Sequence, residues 1–172
     1  MPAFFLIVNG GKELCSVVGR GRYDLWMGFV FISCALAGTN AMQTSALTSR
    51  AIDHEAVAKG GLRRWVLSEA LVATVAGIPV SLLVGTLAFV FSGFDWPFAL
   101  SVAASQLVGF VTSGLFGALM PFLTEKCLGR DAGVWAGPVA AATQDVIGCL
   151  SMIVASYSLL TWYGTSQAEN DC

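Results

Sequence analysis

The chain holds 172 residues, of which 56% are hydrophobic and 12% charged, with nine Lys and Arg against eleven Asp and Glu. A soluble domain is about a quarter charged, so a soluble single-core domain is excluded, and a net charge of −2 offers nucleic acid no basic surface. Charge-free runs cover 25–49, 70–94 and 96–124, and 132–161 carries a single charge, Asp145. Each run exceeds the about 20 apolar residues that cross a bilayer. The expected fold is all-α: a polytopic transmembrane helix bundle of four spans, with membrane lipid as its first partner.

In chain order, residues 1–22 form an N-terminal segment. Its apolar patch is too short for a signal peptide and lacks a basic leader. A transmembrane domain over 23–164 follows, with spans at about 24–49, 70–94, 97–124 and 133–162, and residues 165–172 form a polar tail. A polar loop over 50–69 separates the first two spans. The next connection is a tight turn around Ser92-Gly93-Phe94-Asp95-Trp96-Pro97, where Pro97 suits the first turn of a helix because its missing N–H is not needed there. A short charged loop over 125–131 leads into the last span. The two charged loops lie on one side and hold six Lys and Arg, whereas the turn and the tail hold none. The positive-inside rule places those loops in the cytoplasm. Lys12, Arg20 and Arg22 then lie outside, against the rule, and a helix upstream of Met1 is expected to resolve this. The protein reads as a multi-pass integral membrane protein, with the plasma membrane as its expected location.

Small residues mark the spans. Gly133 and Gly137 form a G-x-x-x-G pattern, and Gly114 and Gly117 lie in the third span. Both pairs read first as close helix packing. Gly77 and Pro79 predict a kink in the second span. Trp26, Trp65, Trp96, Trp135 and Trp162 all fall near span ends, as in an interfacial aromatic belt. None of the five cysteines (Cys15, Cys34, Cys127, Cys149, Cys172) forms a C-x-x-C pair, and Cys34 and Cys149 read as small packing residues inside spans.

Asp145 is the most informative residue. It lies 12 residues past Gly133, roughly 18 Å into the last helix at 1.5 Å per residue. An ionised carboxylate at that depth costs at least ~2.5–3.5 kcal/mol. No Lys, Arg or His occurs in the spans to neutralise it. It therefore meets a cation, a proton or water, or is a protonated acid hydrogen-bonded to backbone. On an ideal helix Gly137, Ala141, Asp145, Gly148, Cys149 and Met152 share one face, nearly bare of side chains before Asp145. A bare face leaves room for water and bares carbonyl oxygens, which suits Mg2+, an ion that keeps much of its hydration shell. It equally suits a close helix contact.

The second polar cluster is Gly38-Thr39-Asn40-Ala41-Met42-Gln43-Thr44-Ser45 in the first span. Its polar residues do not share one face. They fit either a broken or tightly packed helix lining a cavity, or interhelical hydrogen bonds worth about 0.6–2 kcal/mol each.

These segments carry a resemblance. Pro121-Phe122-Leu123-Thr124-Glu125-Lys126-Cys127-Leu128-Gly129-Arg130-Asp131, then Gly137-Pro138 and Asp145-Val146-Ile147-Gly148, resembles the end of the membrane domain of MgtE-type magnesium channels. The polar cluster up to Arg50 looks like that family's G-G-N-x-G-x-Q motif, and Glu69 and Gly77 resemble the start of its third helix. The likeness spans about residues 23–162. It implies a homodimer of five-helix subunits whose cation path is lined by the second and fifth helices, here the first and fourth spans. Asp145 matches the acidic residue that holds the hydrated ion, Ala141 a carbonyl donor, and Gly137 a position near the cytoplasmic mouth, with Pro138 following. Aligned on Gln43 and Arg50, Thr39 stands at the motif's Asn, Met42 at an often polar position, and Asn40 is offset by one. The family's first helix, cytoplasmic helical domain and paired CBS modules have no counterpart in these residues, so sensor gating is not carried over.

The expected function is passive transport of a divalent cation, most readily Mg2+. The ion is cargo, and no cofactor is expected. No P-loop is present for ATP, and none is required: a divalent ion crossing 100 mV releases about 4.6 kcal/mol, twice the ~2.3 per charge. The expected metal-site residues are Asp145, Ala141, Asn40, Thr39 and Gly137. The alternatives are a cation exchanger coupled to Na+ or H+, and a non-conducting fragment or assembly subunit. Enzymatic activity is not expected: there is no H-E-x-x-H motif, no second intramembrane carboxylate, and the single His54 lies in a loop.

Overall fold

The computed structural model describes residues 20–54, 61–129 and 131–162. The expectations placed on the N-terminal segment, on Lys59 and Arg130 within the charged loops, on Cys15 and Cys172 and on the polar tail lie outside the described residues. Four helices make up the regular structure of the rest: α1 (Arg20–Asp53), α2 (Leu62–Phe91), α3 (Trp96–Leu128) and α4 (Ala132–Trp162). All four are long and apolar enough to cross a membrane. At 1.5 Å per residue they run about 45–50 Å, beyond a hydrocarbon core of about 30 Å. Their ends therefore reach the headgroups, and α2 begins early enough to carry Arg63, Arg64 and Glu69.

The chain meanders up and down. Gly109 of α3 lies against Ala37 of α1 and Gly117 against Ala41, so α1 and α3 run parallel; Gly77 against Phe110 and Gly114 against Ala73 show α2 antiparallel to α3. Helix α3 is central, packed on the other three, while α1 and α2 scarcely touch. The turn between α2 and α3 uses left-handed backbone at Gly93 (φ 74°) and also at Phe94 (φ 69°), a strained position for a bulky residue. The Phe94 ring is held edge-on to Phe89 at 5.2 Å. At the far end of α3, Gly129 (φ 57°) closes the helix with its N–H on the Thr124 carbonyl, the left-handed cap that glycine favours.

Small residues set the packing, but not where the G-x-x-x-G pattern suggests. A Cβ on Gly117 would stand 2.7 Å from the Ala41 carbonyl oxygen and 2.9 Å from Thr44 Cβ, and one on Gly114 would stand 2.6 Å from Ala73 Cβ. In contrast, a Cβ on Gly137 meets nothing within 4 Å, and one on Gly133 meets only Asp131 Oδ1. The α3 glycines hold the subunit together, whereas the Gly133/Gly137 pair faces away from its own bundle. Gly117→Val is therefore expected to destabilise the subunit by at least the ~1–3 kcal/mol of an overpacked core, seen as a lowered melting midpoint in detergent. Gly28→Ala, where nothing lies within 4 Å, should leave the midpoint in place.

The aromatic belt is only partly as expected. Trp96, Trp135 and Trp162 are exposed, but Trp26 is fully buried. Its indole N–H donates to Ser156 Oγ at 2.8 Å, and Tyr23 stacks on it at 6.0 Å. A buried indole needs a hydrogen-bond partner, and Ser156 on α4 supplies one. Trp26 is thus the plug of the α1–α4 crossing rather than an interfacial anchor. It shares a cluster with Phe29, Val30, Phe98, Val102 and Met152.

Helix α2 runs unbroken through Pro79. Its outward face is large and aliphatic, with Leu67, Leu71, Val72, Val75, Leu82, Leu83 and Phe91 all more than half exposed. Lipid is the solvent that such a face requires.

Candidate functional site

The α1–α4 seam changes character along its length. Toward the Trp26 end, Gly148, Cys149, Met152 and Ser156 of α4 are buried. There Gly148 lets α4 approach Cys34 of α1, since an added Cβ would stand 3.3 Å from Cys34 Sγ. Toward the start of α4 the same face is uncovered: Asp145, Ala142, Pro138, Trp135 and Val134 are exposed, and Ala141 and Gly137 are half-buried. Asp145 stands at the changeover.

Local anchoring explains why Asp145 points outward. Gln144, one residue before it, is fully buried. Its amide donates to the Gly109 carbonyl at 3.0 Å and to Thr112 Oγ1 at 3.1 Å, both on α3. One residue turns the helix by about 100°. With Gln144 fixed against α3, Asp145 projects beside α1, where a Cβ on Gly38 would lie 3.4 Å from its Oδ1. A glycine at 38 keeps the space beside the carboxylate open. The basic residues of the described helices, Arg20, Arg22, Arg50, Arg63, Arg64 and Lys126, all lie near helix ends, so none of them lies at the depth of Asp145.

The other expected site residues are distributed around this point. Ala141, one turn before Asp145, and Gly137, one turn further, share its side of α4 and are half-buried. Thr39 is exposed next to Gly38, with its hydroxyl donating to the Ala35 carbonyl of its own helix at 2.8 Å. Asn40 is turned the other way, and its amide donates to Ser113 Oγ on α3 at 2.6 Å. About 200° separates Asn40 from Gly38 around α1, so the structure does not bring Asn40 to Asp145. The polar cluster is tightly packed within an unbroken helix rather than broken: Thr44, Ser45 and Thr48 are buried, and Thr39 and Gln43 face outward.

Gly38 and Cys34 frame Asp145 from α1 but are not among the expected site residues. A glycine four residues after a cysteine on one helix face, opposite Gly148-Cys149, was the available signal, but pairing the two helices required their register.

Among the described residues, no group of three or more His, Cys, Asp or Glu could hold a metal ion. At Asp145 one subunit thus offers a cation one carboxylate and backbone oxygens. That set is insufficient for a dehydrated ion and adequate for a hydrated one. At the end of the bundle bearing Arg50 and Lys126, Ser49, Asp53, Glu125 and Asp131 line a cleft of about 280 Å³ beside the start of α4.

Comparison with known families matches residues 30–155 to MgtE, described as a divalent cation transporter. The match takes in the site just described and parts or all of the four helices. No curated protein matches the chain.

Proposed function

Since the chain belongs to the MgtE family of divalent cation transporters, we propose that it conducts hydrated Mg2+ along the open α1–α4 face, with a second copy of the chain closing the path. The observation that carries this reading is the contrast between two exposed faces. The α2 face is large and aliphatic. The α1–α4 face exposes Val134, Trp135 and Met42 too, but mixes them with a carboxylate, Ala142, Pro138, Thr39 and Gln43, with Gly137 open beside them. A mid-membrane carboxylate facing hydrocarbon is costly by at least ~2.5–3.5 kcal/mol. A water-filled path shared with a symmetry-related copy removes that cost, and two Asp145 carboxylates balance one divalent charge. The G-x-x-x-G pair, unused within the subunit, supports a close approach by the second copy.

In this mechanism Mg2+ enters with its shell of water. Asp145 contacts the ion through that shell, Ala141 offers a carbonyl oxygen one turn nearer the charged-loop end, and Gly137 leaves the path wide there. Thr39 lines the opposite wall. The membrane potential drives the ion inward. The plasma membrane supplies that potential and is the location proposed.

Orientation follows from the basic helix ends. Arg50, Arg63, Arg64 and Lys126 lie at one end against Arg20 and Arg22 at the other, and the positive-inside rule favours the fuller end for the cytoplasm. Native Cys127 is exposed at that end. In intact cells a membrane-impermeant maleimide should leave Cys127 unlabelled and label a cysteine placed at Ser92. The reverse pattern overturns the orientation.

The function is tested by Mg2+ uptake into liposomes carrying the purified chain under an imposed potential. Uptake that follows the potential and is independent of Na+ and pH gradients is expected. Uptake that needs either gradient contradicts passive conduction.

A further inference from the structure

Cys34 on α1 and Cys149 on α4 are 115 residues apart in sequence, yet their sulfurs lie 3.4 Å apart in the buried part of the seam. Cys34 Sγ is also 3.9 Å from the Asp145 carbonyl oxygen. The pair thus sits one helical turn from the carboxylate, on the two helices that pack beside it. Gly148 allows this approach, because any side chain there would crowd the Cys34 sulfur. A disulfide needs sulfurs about 2.05 Å apart, so a shift of little more than one ångström separates the observed contact from a bond.

We propose that Cys34 and Cys149 are a disulfide-forming pair that, when oxidised by a peroxide, pins α1 to α4 next to Asp145. Hydrogen peroxide is small and neutral and reaches the seam from the side where Asp145, one turn away, is exposed. Both sulfurs are buried, Cys34 8% exposed and Cys149 2%, and the same bond results whichever is oxidised first. Where Cys34 is first, its sulfur, having released its proton, attacks a peroxide oxygen; the O–O bond breaks, and the products are a sulfenic acid and water. The Cys149 sulfur then attacks the Cys34 sulfur and loses its proton, and the hydroxyl leaves as a second water. Two thiols are oxidised by two electrons, one peroxide is reduced to two waters, and one S–S bond replaces two S–H bonds. The bond draws the helices together beneath the carboxylate and removes the freedom of the seam to widen.

The effect on flux rests on the cation-path reading, while the bond itself does not. The test uses the full chain in liposomes with Cys15, Cys127 and Cys172 changed to Ser, leaving only this pair. After peroxide treatment, non-reducing digestion and mass spectrometry should find the peptides of Cys34 and Cys149 joined and two hydrogens lighter. The melting midpoint should rise, Mg2+ uptake should fall several-fold, and dithiothreitol should reverse all three changes. Cys34→Ser should show none of them. Absence of the joined peptide under a dose that oxidises Cys127 in the unmodified chain overturns the proposal. A joined peptide with unchanged uptake in a conducting protein overturns the pinning of the path. If the reduced protein conducts no Mg2+, the cation-path reading fails, and the joined peptide and melting shift still decide the pair.

Discussion

Asp145→Asn is expected to abolish Mg2+ selectivity while leaving the subunit as stable as before or more so. The substitution keeps the size of the side chain and removes its charge, and in a two-fold assembly it removes both balancing charges at once. A carboxylate in the middle of a span is held against a cost of at least ~2.5–3.5 kcal/mol. A water-filled path removes that cost, so losing the charge does not weaken the bundle, and it deprives the ion of its counter-charge. Mg2+ uptake in a magnesium-dependent strain should fall to background, while the melting midpoint in detergent stays or rises. Asp145→Glu should be milder, because the charge persists and the longer side chain intrudes on the hydrated ion beside Gly38. If Asp145→Asn melts markedly lower and transports normally, the carboxylate is a structural acid and the site is elsewhere.

Gly137→Leu separates the subunit from the assembly. Nothing lies within 4 Å of the position a Cβ would take there, so the isolated bundle accommodates the larger side chain without overpacking. The open face does not, if a second copy and a hydrated ion occupy it. Mg2+ uptake is expected to fall by at least an order of magnitude with no loss of subunit stability, and the dimer seen by crosslinking in membranes should weaken. Leu83→Ala, on the lipid-facing side of α2, is the matched control and should leave both uptake and dimerisation intact. Normal uptake by Gly137→Leu would place the path on another face.

Much of the architecture is written in the charge pattern. Four long uncharged runs give four spans because an unpaired charge in hydrocarbon is costly, and Asp145 stood out for the same reason. Rotational detail was not legible. Gly133 and Gly137 carry the stronger packing motif, yet Gly114 and Gly117 do the packing within the subunit, because contact depends on which face meets the central helix α3. Trp26 lies where an interfacial anchor belongs but is drawn into the core by Ser156, 130 residues away. Asn40 looked available to the ion and is instead bonded to Ser113 of α3. Each of these outcomes depends on a partner distant in sequence, which one-dimensional spacing does not encode. Cys34 and Cys149 illustrate the converse: two unremarkable packing residues become neighbours once the α1–α4 register is known.

The central claim is that the carboxylate at position 145 faces a water-filled cation path rather than lipid or a dry interface. Asp145→Cys, in a chain whose other cysteines are Ser, tests it. The engineered thiol should react with a charged, water-soluble methanethiosulfonate reagent, and Mg2+ in the bath should slow that reaction. A negatively charged reagent, which restores an anion at the site, should return part of the Mg2+ uptake that a positively charged one does not. A thiol that ignores both reagents, in protein that still takes up Mg2+, would contradict the account.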